Sequence, residues 1–134
     1  MIQVSNTTTQ TLAPGQSLTF DTVLLKSGCA ESHRPNSSVV TLKSRCGIYE
    51  VHFTGNVSAT AANPVQLAIR LDGETLPETV MYEEITTAGV GQSVAAATLI
   101  RTACDCSGKV SVTNTGTTTV EVLPNVSFFI KRVA

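Results

Sequence analysis

Residues 47–59 read GIYEVHFTGNVSA, with Tyr49, Val51, Phe53 and Val57 on one side and Glu50, His52 and Thr54 on the other. Such an alternation is what a strand with one buried and one exposed face requires, because successive side chains leave a pleated backbone on opposite sides. The pattern recurs along the chain and is broken at short intervals by Gly, Pro and Asn. It predicts a strand over residues 17–25 (SLTFDTVLL), with Leu18, Phe20 and Thr22 sharing a face, and further strands over 39–44, 65–71, 80–85, 109–114, 118–123 and 126–133. Asp72-Gly73 is a tight-turn signal, and Thr115-Gly116 predicts a hairpin between its two flanking strands. Residues 92–103 are read as a further strand, although its Ala95-Ala96-Ala97 centre also tolerates a helix.

Eight or more short strands need two packed layers, because a single sheet would leave one apolar face in water. The expectation is an all-β, two-sheet antiparallel sandwich. Its 134 residues form a single domain, with residues 1–16 as an N-terminal arm or first strand. Hydrophobic residues make up 42% and charged ones 14%, so a packed core is expected, with part of the surface buried in an oligomer. The formal charge of −1 and scattered basic residues argue against nucleic acid as a partner. No apolar run approaches the roughly 20 residues of a bilayer span, so no membrane insertion is expected. The polar, Thr-rich start lacks the pattern of a signal peptide.

Phe20-Asp21-Thr22-Val23, then residues 39–44, then Gly47-Ile48-Tyr49 leading into an aromatic-bearing strand, resemble the C1q/TNF-like jelly-roll family. Ser127-Phe128-Phe129-Ile130 is similar to that family's last strand. The resemblance covers residue 17 to the C-terminus and implies a ten-stranded sandwich that assembles as a homotrimer. Its inner sheet would carry the interface, with Tyr49, Glu50, His52, Phe128, Phe129 and Ile130 as candidate contacts. The segments LAPGQSLTFDTVLL, GIYEVHFTGN, LDGETLPET and SFFIKRV are closer to small C1q-like proteins of Gram-positive bacteria and their phages. The resemblance therefore implies a structural or binding module on a virion or other extracellular surface, such as a capsid decoration or fibre head. The alternative is a bacterial cell- or spore-surface adhesin head that binds a glycan or host protein. Gly-X-Y stalk repeats, carried by many members of the family, are absent here. An immunoglobulin-like sandwich is the structural alternative, weakened by the lack of a Trp.

Catalytic motifs are missing: there is no G-x-S-x-G, H-E-x-x-H or phosphate-cradling loop, so no enzyme is expected. Cys29 and His33 in one loop and Cys104 and Cys106 in another are expected at one end of the sandwich, with Cys46 at the opposite end. Three thiols and an imidazole suit tetrahedral zinc, although C-x₃-H with C-x-C is no standard signature. A disulfide from Cys29 to Cys104 or Cys106, or cysteines that merely fill strand ends, are the competing readings. A metal-dependent enzyme at this end would have only Glu31 and Asp105 as general base. If Tyr49, Val51 and Phe53 fill the core, His52 points toward a threefold axis, where three copies suit a metal, an anion or a pH switch. The sequons at Asn6, Asn36, Asn56 and Asn125 matter only on a eukaryotic secretory route.

Overall fold

The computed structural model describes residues 1–43, 46–104 and 107–134. Its strands are β1 (Ile2–Ser5), β2 (Gln10–Leu12), β3 (Thr22–Lys26), β4 (Glu31–His33), β5 (Val40–Leu42), β6 (Ile48–Ser58), β7 (Pro64–Leu71), β8 (Glu74–Thr75), β9 (Met81–Glu84), β10 (Gln92–Arg101), β11 (Gly108–Asn114), β12 (Val120–Val122) and β13 (Ser127–Arg132). A single 3-10 turn, Pro77–Thr79, is the helical geometry found among the described residues. No helix there is long and apolar enough to cross a membrane.

The strands form two antiparallel sheets. In the first, β6 is the spine. β10 follows one edge of it from Ile48 to Val57, while β13 pairs with Tyr49 to Thr54 on the other edge and β12 with Val57 and Ser58. β1 and β3 extend this sheet beyond β13, and β2 extends it beyond β12. The second sheet runs β4-β5-β11-β7, with β8 and β9 both paired to β7. Asp72 and Gly73, at φ 52° and 84°, make the β7–β8 turn; two successive positive φ values are the mirror-image turn that matches strand twist.

Inward-facing residues of the two sheets meet in one hydrophobic cluster. Tyr49, Val51, Phe53, Phe128 and Ile130 from the first sheet and Val40, Leu42, Val110, Val112 and Ile69 from the second have no exposed surface. Phe128 stacks on Phe20 with ring centroids 5.3 Å apart and meets Phe53 edge-on at 6.1 Å. Beside them, a Cβ on Gly55 would approach Val126 Cγ1 to 2.8 Å, so this β6 position is kept bare by close packing.

Two expectations change, and the strand read over the alanine-rich segment holds. Residues 17–25 do not form one strand: Ser17 bridges Thr113 of the second sheet, Phe20 bridges Ser37, and only from Thr22 does β3 pair in the first sheet. Leu18 and Phe20 are buried as the chain crosses the gap between the sheets. Thr115-Gly116 likewise joins β11 of the second sheet to β12 of the first, so it is a crossover and not a hairpin. The alanine-rich segment is the ten-residue β10, because pairing along β6 outweighs a local helix preference of a few tenths of a kcal/mol per residue. Ser44, at the end of the strand predicted over 39–44, lies outside the described residues.

Asp21 accepts hydrogen bonds from the hydroxyls of Thr7 and Thr22, and these hold its carboxyl below the usual carboxylate range. A lowered folded-state pKa contributes stability above the unfolded value and loses it as pH falls through the folded one. An NMR titration should therefore place the Asp21 midpoint below that of an Asp peptide, with T7V moving it back up; an unshifted wild-type midpoint would refute the tie. Phe128→Ala should lower the unfolding free energy by about 3–5 kcal/mol in denaturant melts. Gly55→Val should cost about 1–3 kcal/mol. Losses within error for both would contradict the packing described.

Candidate functional site

Because β6 and its neighbours turn one face inward, the register fixes which side chains line the other. Leu25, Gln3, Phe129, His52 and Ala97 stand side by side across β3, β1, β13, β6 and β10. An adjacent row carries Lys131, Glu50 and Leu99, and the row on the other side Ser127, Thr54 and Ala95. Leu99 is 64% exposed and Leu25 45%. His52 Nε2 lies 2.7 Å from Glu50 Oε1, and its ring centroid is 6.0 Å from that of Phe129. Glu50, His52, Ala97, Thr98 and Leu99 enclose a shallow depression of about 260 Å³. The face mixes apolar side chains with the Glu50–His52 pair and Lys131.

Of the six candidate contacts, Glu50, His52 and Phe129 lie on this face. Tyr49, Phe128 and Ile130 do not: they are fully buried in the chain's own core, so their side chains have no surface to offer a partner. They alternate with the exposed set, and an aromatic-rich strand end does not say which parity faces in. Leu25, Ala97 and Leu99 were missed. The signal for Leu99 was its place next to Ile100 in a strand, which the alanine run obscured.

The cysteine end is arranged differently from the expectation. Cys46 is joined to Cys104, with Cα atoms 4.5 Å apart, so it sits at the same end and not the opposite one. The cause is β4, a three-residue strand that pairs Glu31 with Leu42 and so brings β5 back to this end before the chain crosses to β6. Cys29 is exposed and unpaired, while Cys106 and Asp105 lie outside the described residues. His33 is in β4, with Nδ1 2.9 Å from the Val39 carbonyl and Nε2 2.8 Å from the Phe20 carbonyl. A ligating imidazole must turn a lone pair to the metal, and here both nitrogens face acceptors. Cys29, His33 and Cys104 therefore do not fit the zinc set, and among the described residues no three His, Cys, Asp or Glu groups come together. Glu31, 1% exposed, accepts from the Met1 amino group at 2.6 Å and from the Arg132 backbone N–H at 3.2 Å, which makes it a buried tie and not an available base.

The Cys46–Cys104 link closes a sequence separation of 58 residues, so C46S/C104S should lower the unfolding free energy by about 2–4 kcal/mol under non-reducing conditions. Equal stability of the variant and the oxidised parent would contradict the cross-link.

No protein-family model and no curated protein sequence matches the chain. Solved structures do. Eiger TNF from S. frugiperda superposes with a TM-score of 0.79 at 10% identity, over 99% of this chain and 91% of that one. Murine APRIL at pH 5.0 gives 0.71 at 12% identity, over 97% and 98%. The globular domain of the zebrafish complement 1qA protein gives 0.64 at 13% identity, over 96% and 94%. At such identities the likeness is one of fold: by its fold, the chain is a C1q/TNF-like jelly-roll domain.

Proposed function

We propose that this chain is a non-enzymatic, homotrimeric structural or binding module, and that the outward face of the seven-stranded sheet is where its copies meet. The observation that carries this is the row Leu25–Gln3–Phe129–His52–Ala97 with Leu99 beside it: Leu25, Phe129, Ala97 and Leu99 stand around two polar side chains on the outward side of a sheet whose other side is already a core. Burying such a face gains roughly 25 cal/mol per Å² of apolar area, less the entropy of association. Its only salt bridge among the described residues, Glu50 to His52, forms within one chain, so the carboxylate enters an interface already hydrogen-bonded.

The setting we propose is a particle surface, with the chain as a phage virion component, either a capsid decoration or a fibre head. The support is the similarity of LAPGQSLTFDTVLL, GIYEVHFTGN, LDGETLPET and SFFIKRV to small C1q-like proteins of Gram-positive bacteria and their phages.

Sedimentation of the purified protein should give the mass of three chains at micromolar concentration. L99D and F129D should each raise the concentration for half-dissociation at least a hundredfold while keeping the parent's circular dichroism. A monomeric parent, or a trimer indifferent to both substitutions, would overturn the proposed seam.

A further inference from the structure

The second sheet has an exposed face of different character. The register sets Ser32 of β4, Thr41 of β5 and Lys109 of β11 side by side, pointing away from the core. With Arg34, Ser37 and Val39 they line a groove of about 400 Å³, within the range of small-ligand sites. Lys109 and Arg34 are exposed, and neither forms a salt bridge among the described residues. The nearest carboxylate with a recorded contact, Asp72, accepts from the backbone N–H of Lys109 at 2.9 Å and not from its ammonium. Among the described residues, then, two exposed cations border a groove with three hydroxyls, and neither cation is engaged in an ion pair.

The rim is held in place before any ligand arrives. Arg34-Pro35-Asn36-Ser37 is a β-turn closed by the Ser37 N–H on the Arg34 carbonyl at 3.0 Å. Proline at its second position and Asn36 at φ 66° at its third are the chemistry of a type II turn. His33 braces the turn from below through its contacts with the Phe20 and Val39 carbonyls, and Ser37 Oγ accepts from the Val39 N–H at 3.2 Å. A guanidinium at a rigid turn presents parallel N–H donors suited to an oxyanion, and a lysine across the groove adds a second charge. Rigidity of this kind lowers the ordering cost of binding.

We propose that this groove is a binding site for an acidic saccharide, with a sulfate group held between Arg34 and Lys109 and sugar hydroxyls on Ser32, Ser37 and Thr41. The site lies on the sheet opposite the proposed subunit seam, so it does not depend on assembly.

The test is titration calorimetry at low salt with three probes: a sulfated heparin-derived octasaccharide, its desulfated N-acetylated counterpart, and potassium sulfate alone. The sulfated octasaccharide should bind, weakening as salt rises. R34Q/K109Q should reduce its affinity at least tenfold, while K26Q, a charge loss on the other sheet, and L99D should each change the per-site affinity less than twofold. Equal binding of the desulfated probe, an unaffected R34Q/K109Q variant or no binding at all would overturn the site. Sulfate alone binding as tightly as the octasaccharide would overturn its assignment to a saccharide. Because L99D reports on this groove after the seam is broken, a failure here is separable from a failure of the trimer.

Discussion

The close contact of Phe20, Phe53 and Phe128 between the two sheets is the interaction on which the rest of this structure depends. Phe53 and Phe128 come from the paired central strands β6 and β13, and Phe20 from the segment that carries the chain across to β3. Aromatic side chains bury large areas and pair with definite geometry, so the cluster fixes the sheet spacing and the parity of β6 and β13 together. Parity decides function here. A slip of one residue in β6 would put Tyr49, Val51 and Phe53 in solvent and Glu50 and His52 in the core.

With parity set, each sheet has one face to spend on the outside, and the two faces differ in chemistry. The first sheet presents Leu25, Phe129, Ala97 and Leu99 around the hydrogen-bonded Glu50 and His52, with Lys131 beside them, which supports the proposed association with a copy. The second presents Arg34 and Lys109 over hydroxyls in a groove with a braced rim, which suits an anionic ligand. The two proposed roles lie on opposite sheets, so a change on one face need not disturb the other. The Cys46–Cys104 link ties together two crossings between the sheets at one end, and the His33 contacts hold the β4–β5 connection toward the other.

Much of this was legible from residue type and spacing. The buried face of β6 followed from its alternation, as did β7, β9, β11 and β13 to within a residue or two. What was not legible has physical causes. Thr115-Gly116 marks a turn, but a turn does not reveal whether the next strand returns to the same sheet. Ala95-Ala96-Ala97 has no preference strong enough to announce a strand, and its state is set by β6 alongside it. The three-residue β4 carries no periodic signal, and its omission inverted the end assigned to Cys46 and made His33 look like a loop ligand. Glu50 and His52 lie, as read from the alternation, on the face opposite Tyr49, Val51 and Phe53, whereas Tyr49, Phe128 and Ile130 are core residues that entered the candidate interface because aromatic and aliphatic residues suit both a core and a seam.

Hydroxyl-radical footprinting of the unmodified protein, at concentrations above and below its dissociation range, tests the central claim most directly. If the outward face of the first sheet joins the copies, Phe129 and Leu99 will be protected in the concentrated sample and reactive on dilution, while Val90, in the loop before β10, reacts equally in both. Phe129 and Leu99 reacting at one rate across the whole range would contradict the account and leave this face open to solvent or to another partner.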